Sequence, residues 1–271
     1  SSCRQRQMCI RDSPLTGLAL EWQGQRPVAV AIENSTASTT QWGLSSASVV
    51  LEALTEVGTS TELCLVYPAL AATPKVGPVA AGQDIYWRLL VGQQPIPVQR
   101  GGGQFDQNFL DYYSIRAVDA LEAGRTAFDC GSEWSNAPLW YTSGEAISNV
   151  LDKLSISSVL TESRVTNVVS AAADSASSGA DAVLSLPALL PQEAGGKLPD
   201  ATAPDAVNVR VCFDDNNATG FSYDADSGLY RMLHADGTPQ LDANNGQQAG
   251  FDNLLVLFSA SELRDDGKTY D

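Results

Sequence analysis

Histidine, cysteine and basic side chains are all scarce in this sequence, and each shortage closes off a class of chemistry. The only histidine in 271 residues is His234. It sits in MLHADG beside a turn, with no GxSxG frame elsewhere to make a Ser-His-Asp hydrolase. Five cysteines include no CxxC pair and no metal-ligand spacing, and an odd count does not build a disulfide framework. Sixteen Lys+Arg stand against 32 Asp+Glu, for a net charge of −16. Such a surface repels nucleic acid, whose binding depends on neutralised phosphates, and it repels anionic headgroups. Long apolar runs are missing too, so no segment reads as a membrane span.

What is present is enough for a folded core. Hydrophobic residues make up 44% and charged residues 18%, ordinary values for a globular chain. Ser1–Asp12 (SSCRQRQMCIRD) read differently from the rest. They hold two cysteines, lack an apolar h-region, and resemble a translated sequencing adapter, so they are set apart as a non-native leader. That leaves Cys64 and Cys212 in apolar stretches, where burial is expected, and Cys130 in the loop-like FDCGSEW, where exposure is expected.

Val28–Ile32 reads as a short strand, and Val49–Thr55 with Leu63–Tyr67 as a hairpin. Asp84–Val91 reads as a helix with Ile85, Leu89 and Trp87 inward. Ile96–Val98 follows as a strand, Gly101–Gly103 as a break, and Phe105–Tyr113 as an aromatic-rich helix. Ser143 caps a helix Gly144–Leu154, with Ala146, Ile147, Val150, Leu151 and Leu154 at helical spacing. Ser170–Ala182 and Pro187–Pro204 are low-complexity and proline-rich, the composition of a linker. Beyond them come strands at Val207–Phe213, Phe221–Asp224, Leu229–Leu233 and Leu254–Phe258.

The expected organisation is therefore a leader at 1–12, an N-terminal α/β-type domain at 13–160, a linker region at 161–206, and a C-terminal β domain at 207–271 that looks truncated. The fold class is α+β: an N-terminal mixed sheet flanked by helices, plus a smaller antiparallel domain.

Two local patterns bear on ligands. Gly101–Gly103, after Arg100 and before a helix, could cradle an anion on backbone N–H groups, but it lacks a GxxxxGK[ST] or GxGxxG frame and reads as a turn into the helix. Asp215, Asn217, Thr219, Gly220 and Asp226 fall at positions 1, 3, 5, 6 and 12 of a calcium-loop template. Strand flanks and an imperfect ligand set make a plain hairpin connection the expectation, with no metal. Asp242, Asn244 and Gly246 are a weaker echo of the same template.

Ser13–Gly17 (SPLTG), Arg26–Ser35 (RPVAVAIENS), Val49–Gly58 (VVLEALTEVG), Val76–Val79 (VGPV), Ala137–Ser143 (APLWYTS), Tyr223–Tyr230 (YDADSGLY) and Leu241–Leu257 occur in an order that resembles the YerB-like lipoproteins, a family with paired domains of unknown function. The resemblance implies a lipid-anchored, extracytoplasmic protein of the cell envelope, tethered through an N-terminus missing here. Ala80, Gln83 and Thr61 stand where the family carries arginine, and Ser35 where it carries histidine.

From about residue 47 to 121 the order of elements also resembles the LytR-CpsA-Psr phosphotransferases, without the arginines that would hold a pyrophosphate. The resemblance gathers Glu33, Asn34, Gly77, Ala80, Gln83, Arg100, Gly101, Gly102 and Gly103 around one N-terminal cleft. No catalytic residue and no cofactor is implied. The expected role is a non-catalytic binding or scaffolding module for an envelope protein or cell-wall component. The alternative is a divergent, inactive relative of those phosphotransferases.

Overall fold

Val28–Glu33 forms β1, and it alternates in size rather than polarity. Val28, Val30 and Ile32 point to one face and Ala29 and Ala31 to the other, all five wholly buried. A strand covered on both faces has no solvent side to mark with polar residues. The computed structural model describes residues 24–35, 40–130, 139–160 and 205–271. The leader Ser1–Asp12, the opening Ser13–Gly17 and the tracts Ser170–Ala182 and Pro187–Pro204 lie outside the described residues.

Around β1 the sheet adds β2 (Val49–Ala53), β3 (Glu62–Tyr67), β4 (Ile96–Gln99) and β5 (Val118–Asp119) in the order β2-β3-β1-β4-β5. β3 is antiparallel to both β1 and β2, while β4 is parallel to β1 and to β5, so the sheet is mixed. Pro97 is tolerated inside β4 because Ile96 donates to Pro27 on the β1 side. The missing Pro97 N–H then faces the other side, where β5 begins to pair only at Val98.

Two helices cover the small-residue face: α1 (Asp84–Leu90) and α2 (Gln104–Tyr112). Ala29 leaves room for the fully buried Tyr86 and Trp87 of α1, which pack there with Leu90 and Leu110. The inward face of α1 is therefore Tyr86, Trp87 and Leu90, correcting the expected Ile85 and Leu89, which are half-buried. After α3 (Ala120–Ala123), α4 (Gly144–Leu151) lies against the large-residue face through Ile147, Val150 and Leu151. Ser143 caps it as expected, its Oγ accepting from Ala146 N at 3.2 Å.

The C-terminal block is a four-stranded antiparallel sheet in the order β11-β8-β7-β6, with a short β9–β10 hairpin. Its strands are β6 (Asn208–Cys212), β7 (Ala218–Asp224), β8 (Leu229–Leu233), β9 (Leu241–Asp242), β10 (Gln247–Gln248) and β11 (Gly250–Phe251). Met232 and Ala249 enter the same core as Ile32 and Leu65, so this sheet completes the N-terminal block. The fold is α+β as read from sequence.

Two cysteine expectations invert. Cys212 is exposed, because β6 is an edge strand burying no residue fully, and Cys130 is buried within the main core. Leu254–Phe258, expected as a strand, has no regular secondary structure and no strand partner among the described residues. The calcium-template residues do not converge. Ala218–Asp224 is a strand, Gly220 pairs with Leu233, and Asp214 caps its own turn by accepting from Asn216 and Asn217 N–H at 2.7 Å.

Candidate functional site: the strand-end rim

The parallel strands β1 and β4 end side by side, and the residues that follow them meet there. Glu33 closes β1 directly opposite Glu62, the first residue of β3. A cross-strand pair shares one face of the sheet. Two carboxylates side by side repel, and the fold answers with a cation: Arg100, just past β4, reaches Glu33 at 3.6 Å.

Gln83, the residue before α1, hydrogen-bonds the Glu62 side chain. Burial pushes the Glu62 carboxyl from 4.5 up to about 7; the Gln83 hydrogen bond and Arg100 draw it down, while Glu56 and Glu33 add to the rise. Two polar atoms of this group are buried with no hydrogen-bond partner among the described residues, Glu62 Oε2 and Arg100 Nε.

Beside the rim stands an aromatic pair. Tyr141 meets Trp42 edge-to-face at 6.4 Å, and the Lys75 ammonium lies 3.8 Å over the Trp42 ring and 4.7 Å from that of Tyr141. The Tyr141 hydroxyl is pushed up by burial and by the charge of Glu33.

Of the nine residues read from sequence, Glu33, Gln83 and Arg100 come together with their side chains on this rim. Ala80 is buried and contributes backbone only, donating to Ala31 O at 2.8 Å and accepting from Arg100 N at 2.7 Å. Gly77 is paired through its backbone with Trp42, and a Cβ there would stand 2.7 Å from the Trp140 carbonyl. Gly101 donates to Asp119 Oδ1 at 2.9 Å, Gly102 bridges to Gly82, and Gly103 is the residue before α2. Gly101 and Gly102 are thus tied to the neighbouring chain, while Gly103 is exposed with open space around it.

Asn34 turns away from the rim into a buried network. Its Nδ2 donates to Thr61 Oγ1 at 2.8 Å and to Glu52 Oε1 at 3.1 Å, and its Oδ1 accepts from Gln41 and Gln240. Glu52 Oε1 also accepts from Thr61 and, across the two blocks, from Thr219, both at 2.7 Å. Burial raises the Glu52 pKa, and these three donors oppose the rise.

A second bridge is Asp242, wholly buried, which accepts from Gly43 N, Ser45 N and Ser45 Oγ. Sequence reasoning missed Glu52 and Glu62, and read Asp242 only as an echo of a calcium loop rather than as a bridge between the blocks. Glu62 had no local signal: the β2–β3 hairpin sets it opposite Ala53, and only the long-range β1–β3 pairing brings it opposite Glu33. The signal for Asp242 was the Asx-turn pattern in LDANNG.

A mixed α+β core with a docked β-sheet and a charged rim at its strand ends defines a class of two-block proteins. Within that class the chain belongs to the family described as Protein of unknown function (DUF3048), whose N-terminal domain matches residues 15–157 and whose C-terminal domain matches residues 208–271. It is similar to YerB of Bacillus subtilis (strain 168), a protein that carries the name of a lipoprotein, with 26% identity over 273 residues, covering 94% of this chain and 70% of that one. The crystal structure of YerB from Bacillus subtilis shares the fold, with a TM-score of 0.71 at 22% identity over 96% of this chain and 79% of that one.

Proposed function

We propose that this chain is a non-catalytic binding module of the bacterial cell envelope, held outside the cytoplasmic membrane by a lipid on its N-terminus. The lipid tether rests on the name carried by the relative YerB. The binding role rests on the two unmet atoms at the rim, one acceptor (Glu62 Oε2) and one donor (Arg100 Nε–H) on neighbouring side chains. A buried polar atom without a partner is costly to leave unmade. A neutral ligand carrying both donors and acceptors, such as the amides and hydroxyls of a cell-wall fragment, satisfies them when the Arg100 side chain, 31% exposed, turns outward and uncovers the Glu62 carboxyl.

A diphosphate fits poorly. It needs two or more cationic donors, and among the nine residues drawn to this rim Arg100 is the single cation, already beside Glu33. Calorimetry with soluble cell-wall fragments, pyrophosphate and a polyprenyl-diphosphate analogue, with and without magnesium, tests the reading. Saturable heat is expected from the wall fragments and lost in Arg100→Ala. Submicromolar binding of the diphosphates, or turnover removed by substituting Glu33 or Arg100, would overturn it in favour of the phosphotransferase alternative.

A further inference from the structure

Between α1, α2 and β4 a single carboxyl ties three elements together. Asp106, in the first turn of α2, is 2% exposed. Its Oδ1 accepts from the Trp87 indole of α1 at 2.6 Å, and its Oδ2 accepts from the Gln99 amide of β4 at 3.0 Å. Backbone closes over the pair where Gly82 and Gly102 bridge to each other. A Cβ on Gly102 would strike Asp106 Oδ2, and a Cβ on Gly82 would strike Gln99 Oε1.

One acceptor in this group has nothing to accept. Gln99, also 2% exposed, gives its Nε2 to Asp106 and, at 3.4 Å, to Asp119 Oδ2. Its Oε1 lies against Gly82, buried, with no hydrogen-bond partner among the described residues. An ionised carboxyl cannot supply the missing donor, because both of its oxygens only accept; a protonated one can. Half a turn about the last torsion of Gln99 exchanges Oε1 with Nε2. The oxygen then stands where the nitrogen is now, 3.0 Å from Asp106 Oδ2.

The surroundings bring proton uptake within reach. Charged neighbours of Asp106 are Asp84 on α1, paired with Arg88 and Arg264, and Asp119 on β5. Arg100, the residue after Gln99, is turned to Glu33, and Gly82 and Gly102 bring no side chain. Burial pushes the Asp106 carboxyl from 3.8 up to about 6; the bonds from Trp87 and Gln99 draw it down, while Asp84 and Asp119 add to the rise.

We infer that Asp106 and Gln99 form a proton-operated switch: the carboxylate holds the amide nitrogen of Gln99, and the neutral acid donates to its oxygen instead, turning the amide over. The turn withdraws Nε2 from Asp119 Oδ2, whose partner oxygen holds Gly101 N and Leu121 N. The switch does not depend on what the rim binds. Because the folded chain holds this proton more tightly than the unfolded one, stability linked to Asp106 is full below about 3.8 and declines as pH rises through about 6.

The whole chain, isotope-labelled, is followed by NMR from about pH 8 to about pH 4.5, a range that brackets the shifted carboxyl. The Asp106 carboxyl, the Trp87 indole N–H and the Gln99 side-chain amide are expected to titrate together with a midpoint near 6. Contacts between the Gln99 amide protons and the Gly82 α-protons are expected only on the acid side. Asp106→Asn, whose own amide donates to Gln99 Oε1, should show those contacts at every pH, with a Trp87 indole that no longer titrates. Trp87→Phe removes one donor to the carboxylate and should move the midpoint upward, which tests the switch even where the asparagine variant does not fold. Glu62→Gln removes the carboxyl that titrates near 7 and should leave the Asp106 curve in place. A midpoint near 3.8, Gln99–Gly82 contacts absent at the acid end, or the same contacts equally strong at the alkaline end would each overturn the switch.

Discussion

Asp242 shows how much a single residue of the C-terminal block does for the N-terminal one. Its carboxylate accepts from Gly43 N at 3.0 Å, Ser45 N at 2.9 Å, Ser45 Oγ at 2.6 Å and Asn244 N at 2.8 Å. Burial by itself would raise its pKa, yet these donors hold it below the usual carboxylate range. Asp242→Ala strands those donors and is expected to cost about 2–4 kcal/mol, read as a lower urea midpoint at neutral pH. Glu62 behaves in the opposite sense. Its folded pKa of about 7 lies above the ordinary 4.5, so the folded state holds the proton more tightly than the unfolded one. Stability linked to this group is therefore fullest below about 4.5 and declines as pH rises through about 7. Glu62→Gln should raise stability by roughly 1–2 kcal/mol at pH 8 and change little at pH 4. Urea titrations at the two pH values measure this, and an equal effect at both would refute it.

At the scale of elements, close packing sets what each segment tolerates. α4 begins at Gly144, where an added Cβ would lie 1.7 Å from the backbone oxygen of Leu70. Gly144→Ala therefore has to push the helix off its neighbour, and a loss of about 2–4 kcal/mol is expected by calorimetric melting. The stretch after β11 is the opposite case. Leu255, Leu257 and Phe258 are half or more exposed, with no strand beside them among the described residues. A run of exposed large apolar side chains invites association. Concentration-dependent self-association is expected in sedimentation velocity and should fall in Leu255→Lys/Phe258→Lys; a monomer at every concentration would count against it.

Elements with local signals were legible in the sequence: the Ser143 cap, the β2–β3 hairpin and the neighbouring strands Phe221–Asp224 and Leu229–Leu233, which pair as β7 and β8. The face of α1 was legible only at Trp87; Tyr86 and Leu90 were missed, because the small Ala29 they pack against lies on β1, far from the helix in sequence. Asn34 was drawn to the rim because its chain position is there. Its side chain follows donors and acceptors contributed by Glu52, Thr61 and Gln240, which no local pattern reveals.

On the scale of the whole molecule the two sheets share one interior. Thr219 reaches Glu52, Gln240 reaches Gln41 and Asn34, and Arg264 grips Asp84 at 2.8 Å and lies over the Phe105 ring. Blocks joined this way should unfold together. All five tryptophans precede residue 161, so their fluorescence follows the N-terminal block while far-UV circular dichroism follows both. Coincident urea midpoints are expected, and two separated transitions would show independent blocks.

The Asp242 contact with Gly43 spans 199 residues of chain, and Met232 and Ala249 fill the core around β1 from the same late part of the sequence. During synthesis the N-terminal sheet emerges long before the residues that finish it. The growing chain must pass through a stage in which an apolar face of that sheet is bare, and contacts so distant in sequence form slowly. A nascent chain halted before β6 should therefore be the form that recruits holding chaperones and is cut by proteases, while release of the finished chain ends both.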